Sequence, residues 1–153
     1  MRSSTSTDTE PIMETWGPEG QLVKSAFDRL VLIPRLKVCC NVAILGRCID
    51  LVFIKHGKIH TVEFKIRDIR RAVRQARDHK LASDYSYICV PRKQITEPIF
   101  DLILGAGIGL FFFDETSQWP FDTVRKAPRS DETWIVAHEK LRHHIIEKDG
   151  SWE

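Results

Sequence analysis

Two acidic residues and a lysine on successive apolar segments are the residues of this chain best suited to chemistry. Asp50 lies in the segment CIDLVFIK, and Glu63 and Lys65 lie in TVEFKIRD. Strict alternation in TVEFKIRD predicts a strand that carries Glu63 and Lys65 on one face. Two carboxylates that meet beside a lysine offer oxygen ligands and a balancing positive charge, which suits a divalent cation.

The segment between the two acids indicates how they meet. It holds the turn sequence His56-Gly57-Lys58 between two apolar runs, which predicts a β-hairpin. The hairpin would fold Asp50 back beside Glu63. The alternative is that Glu63 and Lys65 form an ordinary salt bridge on the surface of a strand.

The first strand of the hairpin also shows an alternating pattern. Alternation predicts that Asp50 shares a face with Cys48 and Val52. The side chains of Ile49, Leu51 and Phe53 would point to the other face. Because both faces are partly apolar, we expect helices on both sides of the sheet.

Helical and extended patterns surround the hairpin in a regular order. Leu22, Val23, Ala26, Phe27 and Leu30 recur at helical spacing before Pro34. The strand RLKVCCNVAIL follows and precedes the hairpin. Beyond the hairpin we predict a helix over 68–82, the strand YSYICV, a helix over 95–104 and the strand GIGLFFFDE. A connector over 119–129 and a helix over 131–147 complete the chain.

This order of elements, together with Asp50, Glu63-Phe64-Lys65 and Glu19, resembles the PD-(D/E)XK nuclease superfamily over about residues 17–114. Ile49 precedes Asp50 where the motif's name has Pro. The resemblance implies an α/β restriction-endonuclease-like core: a central mixed β-sheet flanked by helices, in αβββαβ order, plus a C-terminal helix. We expect a disordered tail over 1–16, a nuclease-like domain over 17–118, and a connector and C-terminal helix over 119–153 that pack on the same domain.

The resemblance also implies a catalytic centre. A Mg²⁺ or Mn²⁺ ion would be bound by Asp50, Glu63 and the backbone carbonyl of Phe64. Lys65 would orient the attacking water and offset the charge that develops on phosphorus.

Two residues on the flanking helices would complete the centre. Glu19 would bind a second ion or a water on the ion, although an acid in the first turn also compensates the helix dipole. Gln75 would orient the attacking water or a phosphate, although it also lies at the edge of the apolar stripe of its helix.

The net charge of +2 conceals a basic segment. Between positions 65 and 93 there are nine basic residues and three acidic ones. The arginines expected to bind nucleic acid are Arg67, Arg70, Arg71, Arg74 and Arg77. In isolation a solvated helix face would be the favoured explanation, but the position of these arginines beside two carboxylates reverses that preference and favours a polyanionic substrate.

The expected function is therefore metal-dependent hydrolysis of nucleic-acid phosphodiester bonds, with DNA favoured. The alternatives are a catalytically silent nucleic-acid-binding module and an interaction subunit with the same fold. A homodimer or a larger protein partner would supply target specificity. The longest apolar stretch, over 98–113, is shorter than the ~20 residues of a membrane span. We expect a cytoplasmic protein.

Cysteine and histidine patterns point away from other metal chemistry. Cys39, Cys40, Cys48 and Cys89 form no CxxC pair, and we expect buried free thiols. An iron–sulfur cluster, known in some members of the superfamily, is the less favoured alternative. The segment HEKLRHH places His138 and His143 five residues apart, which turns them away from each other and argues against zinc.

Overall fold

The computed structural model describes residues 17–152, so the tail expected over 1–16 lies outside the described residues. The helices are α1 (Gly17–Leu30), α2 (Ile69–His79), α3 (Glu97–Ala106) and α4 (Ile135–Lys148). The strands are β1 (Lys37–Ile44), β2 (Arg47–Lys55), β3 (Lys58–Phe64), β4 (Tyr85–Val90), β5 (Gly109–Phe113) and β6 (Phe121–Arg125). The α/β class and the order αβββαβ of the first six elements are confirmed.

The six strands form one mixed sheet in the order β1-β2-β3-β4-β5-β6. β1, β2 and β3 form an antiparallel meander, and β2 and β3 are the predicted hairpin. β4 and β5 run parallel to β3, because α2 and α3 return the chain between them. β6 is an antiparallel edge strand.

Helices cover both faces of the sheet. α1 packs Val23, Phe27 and Leu30 onto a face that carries many aromatic rings, including Phe64 and Phe111. On the other face, α4 covers β1 and β2, and α2 and α3 cover β4 and β5. Strands covered on both sides explain the partly apolar character of both faces.

The predicted alternation in β2 is wrong at Asp50. Ile49 packs in the same cluster as Val52, whereas Leu51 packs on the opposite face. On β1, Asn41 has a φ of 53°, in the left-handed region, and it does not pair with Asp50 although its neighbours keep their register. The break in the alternation of β2 therefore falls where the β1–β2 ladder lacks a pair, as expected of a local ladder irregularity.

The C-terminal third differs from the sequence prediction. Residues Phe121–Arg125 form β6, where a connector was expected. The last helix begins at Ile135 rather than at Asp131. The reason is that the segment before it is tied to the turn after α2: the N–H of Trp134 donates to Leu81 O, and the hydroxyl of Thr133 donates to Ser83 O.

Smaller corrections concern helix ends and cysteines. α2 ends at His79, three residues before the predicted end, and Asp68 caps its start by accepting a hydrogen bond from the N–H of Arg71. All four cysteines are free thiols, but Cys48 is exposed rather than buried. No helix among residues 17–152 is long and apolar enough to cross a membrane.

Candidate functional site

The site begins where β2 and β3 separate. Their ladder ends at the pair of Leu51 and Val62, so the next backbone groups of β3 have no partner on β2. The Asp50 carboxylate accepts a hydrogen bond from the N–H of Phe64 at 2.8 Å. Asp50 thus occupies the fork between the strands, which explains why the ladder stops there.

Asp50 and Glu63 meet in this fork, as the hairpin predicted. Their carboxyl groups lie close enough for each to change the pKa of the other. Burial and the neighbouring Asp50 raise the pKa of Glu63 to about 9. Burial also raises the pKa of Asp50, against the lowering effect of the N–H of Phe64. At neutral pH the pair therefore shares a proton, since burial and a neighbouring carboxylate both disfavour the charged form of Glu63.

The donor atoms in the fork suit a hard cation. The Oε1 atom of Glu63 is buried and has no hydrogen-bond partner among residues 17–152. No group of three His, Cys, Asp or Glu side chains in that range has the arrangement of a metal site. The candidate ligands are two carboxylates and the backbone carbonyl of Phe64. Such a small set fits Mg²⁺, which binds through one or two carboxylates and keeps several waters.

Glu19 and Lys65 lie at the other side of the same opening. Glu19 Oε2 accepts a hydrogen bond from the N–H of Ile66 at 3.0 Å, and Glu19 Oε1 is 3.8 Å from Lys65 Nζ. Glu19 therefore links the first turn of α1 to the end of β3 and holds the lysine. Glu19 therefore interacts with β3 and Lys65 in addition to the dipole of its own helix.

Together these residues line a cavity of about 310 Å³, which we call the carboxylate cleft. Its lining includes Glu19, Asp50, Glu63, Phe64 and Lys65. Asn41 and Trp152 also line it, and the sequence analysis did not single them out. Trp152 reaches the cleft because it forms a parallel bridge with Cys40 of β1, a long-range contact without a local sequence signal.

Gln75 does not line the carboxylate cleft. It lines a neighbouring cavity of about 230 Å³ together with Cys48 and His79. Its Oε1 atom is buried and has no hydrogen-bond partner within the described residues.

His79 connects this neighbouring cavity to the acidic pair, and the sequence analysis missed it. Its Nδ1 atom lies 4.0 Å from Glu63 Oε1. Burial lowers the pKa of His79 to about 4, so the ring is neutral at pH 7. A neutral ring beside a protonated Glu63 leaves no uncompensated charge. A histidine at the end of an otherwise basic helix gave no separate signal.

The five predicted nucleic-acid-binding arginines are all exposed. Four of them, Arg70, Arg71, Arg74 and Arg77, lie on α2, and Arg67 lies just after β3. None of the five forms a salt bridge with another residue in the part of the chain that the structure describes. Their charges are therefore available to a polyanion.

Comparison with known proteins finds a chain of similar fold but gives no function. No family model matches the chain, and no curated protein matches it. Among solved structures, the chain is similar to the SPO1766 protein of unknown function from Silicibacter pomeroyi, with a TM-score of 0.61 and 17% identity. The match covers 84% of each chain. At this identity the likeness concerns the fold alone.

Proposed function

We propose that this chain is a metal-dependent nuclease with a restriction-endonuclease-like core. The observation that carries the proposal is the fork between β2 and β3, where Asp50, Glu63 and Lys65 line one cleft. A buried acid with a raised pKa lowers the stability of the fold at neutral pH, and such groups cluster at functional sites. A surface salt bridge between Glu63 and Lys65 is disfavoured, because Lys65 lies near Glu19 and Glu63 is buried.

In this proposal Asp50, Glu63 and the carbonyl of Phe64 hold Mg²⁺ or Mn²⁺. When bound, the ion would supply Lewis-acid activation of the scissile phosphate and of water. Lys65 would donate hydrogen bonds to a phosphate oxygen and offset the negative charge that grows in the transition state. Glu19 would orient the Lys65 ammonium group and fix the backbone at Ile66.

Gln75 remains a predicted member of the site, without direct contact with the carboxylate cleft. Gln75 and His79 line the same cavity, and His79 lies next to Glu63. Gln75 would therefore influence the acidic pair through His79 rather than by direct contact. Its predicted role in orienting water stays a prediction.

The substrate in this proposal is a nucleic acid, with DNA favoured. Five exposed arginines without salt-bridge partners within residues 17–152 would bind backbone phosphates, which contribute affinity rather than sequence recognition. A second copy of the chain or a larger partner would supply specificity.

A substrate panel tests this function. Purified protein would be incubated with supercoiled plasmid, single-stranded DNA, branched DNA and RNA, in Mg²⁺, Mn²⁺ or a chelator. We expect cleavage of one or more substrates with metal and none with chelator. Lys65→Ala should abolish cleavage and spare most substrate binding, because its charge matters mainly in the transition state.

The panel also distinguishes the alternatives. Tight binding to a substrate without cleavage under any metal would favour a silent binding module. Neither binding nor cleavage would favour an interaction subunit. Lys140→Ala is the matched control, because Lys140 is an exposed lysine on α4 that does not line the carboxylate cleft. It should cleave at close to the wild-type rate.

A further inference from the structure

A second cavity, of about 360 Å³, lies on the sheet face that α1 covers, near the start of β3. We call it the aromatic pocket. Its lining includes Lys58 and His60, which lie about 10–20 Å along β3 from Glu63 at ~3.3 Å per residue. The aromatic pocket and the carboxylate cleft have no lining residue in common.

Aromatic rings from three adjacent strands form the wall of the aromatic pocket. Phe53, His60 and Tyr85 are direct cross-strand neighbours in the sheet register. The rings of Phe53 and His60 stack at 4.6 Å with an interplanar angle of 9°, and those of His60 and Tyr85 stack at 5.0 Å. Trp119 adds a fourth ring, edge-on to Phe53. His60, Tyr85 and Trp119 are half-buried, so parts of their rings reach solvent.

Lysines surround these rings. Lys55, Lys58 and Lys126 line the aromatic pocket, and none of the lining residues found in the described chain is acidic. Lys55 Nζ lies 4.5 Å from the centroid of the Trp119 ring. Aromatic cages also bind organic cations, but three lysines without a counter-charge in the lining would repel a cation. The lining therefore suits a ligand that combines a planar ring with an anionic group.

The ring of His60 can also form a directional contact. Its Nδ1 atom lies 3.0 Å from the Lys58 carbonyl oxygen, which can only accept, so Nδ1 carries the proton. Burial lowers the pKa of His60 to about 4, and the ring is neutral at pH 7. Nε2 is then a hydrogen-bond acceptor, of the kind that pairs with an exocyclic amine or a ring N–H.

We propose that the aromatic pocket binds a nucleoside 5′-monophosphate unit, either free or within a single strand. The base would stack on Tyr85, the outer ring of the row, because Phe53 and Tyr85 already cover the two faces of His60. The phosphate would contact the lysines. The cavity lies within the 300–1,000 Å³ range of small-ligand sites. The proposal does not depend on nuclease activity, because no ligand of the proposed metal lines this pocket.

Titration of the full chain in chelator tests the proposal. The probes are the four common nucleoside 5′-monophosphates, the matching nucleosides, inorganic phosphate, phenyl phosphate and a ten-residue oligothymidylate, measured by calorimetry. We expect at least one monophosphate, or the oligonucleotide, to bind saturably. It should bind at least about fivefold more tightly than the nucleoside, phosphate or phenyl phosphate. Binding of the monophosphate identifies a free nucleotide site. Binding of the oligonucleotide alone identifies a strand site if Tyr85→Leu weakens it, because the arginines of α2 do not line this pocket.

Variants locate the binding. Tyr85→Leu should weaken it by at least about fivefold, whereas Tyr85→Phe keeps the ring and should bind like wild type. Lys55→Gln with Lys58→Gln should weaken it similarly, and Lys140→Gln, at an exposed lysine on α4, should not. Asp50→Asn should bind like wild type, which separates this site from the nuclease proposal. Circular dichroism verifies that each variant is folded.

Three results would overturn the proposal. The first is no saturable binding of any nucleotide probe by the wild type at millimolar concentration. The second is equal binding of phenyl phosphate or inorganic phosphate, which would indicate a general anion site. The third is nucleotide binding that Tyr85→Leu and the double lysine variant leave unchanged.

Discussion

The carboxylate of Asp50 accepts a hydrogen bond from the backbone N–H of Phe64, 2.8 Å away, at the point where β2 and β3 separate. This bond fixes a half-buried acid in the cleft at the end of the β2–β3 ladder. It brings the acid against Glu63, the residue before Phe64. Buried together, the two groups share a proton, and that state has measurable consequences.

Replacing Glu63 should reveal the cost of its burial. The pKa of Glu63 rises from 4.5 in the unfolded chain to about 9 in the folded protein. The folded state therefore favours the protonated form, and stability falls as pH rises from about 4.5 to about 9. Glu63→Gln removes this titration. In chelator it should increase the free energy of unfolding by about 1–3 kcal/mol at pH 9. Denaturant unfolding across pH measures this.

The control for this prediction is Glu115→Gln, at an exposed carboxylate in the segment between β5 and β6. Its stability should follow the wild type at every pH. Added Mg²⁺ should stabilise the wild type and leave Glu63→Gln nearly unchanged, because only the former offers both carboxylates. A Glu63→Gln protein less stable than wild type throughout the pH range would contradict the shared-proton state.

The exposed arginines of α2 should control affinity for nucleic acid. Arg70→Ala with Arg74→Ala should weaken DNA binding and reduce the dependence of log K on log salt by about 0.9 per lost phosphate contact in duplex DNA. Binding at several salt concentrations measures both quantities. The matched control is Lys140→Ala with Lys148→Ala, two exposed cations on α4. If the affinity and the slope of log K against log salt are unchanged in the arginine variant, these arginines form a solvated helix face that does not bind DNA.

Asp84 should be a structural rather than a catalytic acid. Burial disfavours its charge, but hydrogen bonds from His138 and the N–H of Ile59, with the charge of Arg129, outweigh burial and lower its pKa. Asp84→Asn should reduce the free energy of unfolding by about 2–3 kcal/mol at pH 7.

Asp84 stabilises the protein at high pH and not in acid, whereas Glu63 destabilises it as pH rises. The stabilisation by Asp84 is present above its unfolded pKa of 3.8 and disappears as pH falls through the lowered folded value. The unfolding free energies of the wild type and of Asp84→Asn should therefore become similar in acid. Asp101→Asn, at an exposed acid on α3, should unfold like the wild type. If the difference in unfolding free energy between the wild type and Asp84→Asn stays constant down to pH 2, the charge of Asp84 is not the stabilising feature.

Local patterns predicted most of the fold. The turn at His56-Gly57 and the apolar runs beside it defined the hairpin, and helical spacing defined α1 and α2. β6 was missed because Phe121–Arg125 is short and follows Pro120, and only pairing with β5 makes it extended. The start of α4 was misplaced because long-range hydrogen bonds hold the preceding residues out of the helix.

The site was predicted in part for the same reason. The meeting of Asp50 and Glu63 follows from the hairpin, so it could be derived from sequence. The break in the alternation of β2 at Asp50 lies opposite Asn41 of β1, and no pattern within β2 encodes the left-handed backbone of Asn41. The contacts of His79 and Trp152 join residues far apart in the chain, so they required the fold.

The most direct test of the account is the rate of phosphodiester cleavage in Mn²⁺ by the wild type and by Asp50→Asn. A substrate from the panel would be present at saturating concentration, and Glu97→Gln would serve as the carboxylate-to-amide control. We predict that Asp50→Asn lowers the rate by at least about a hundredfold, because a metal ligand contributes several kcal/mol to catalysis. Glu97→Gln should match the wild type. Equal cleavage by wild type and Asp50→Asn would contradict the assignment of this fork as the catalytic centre.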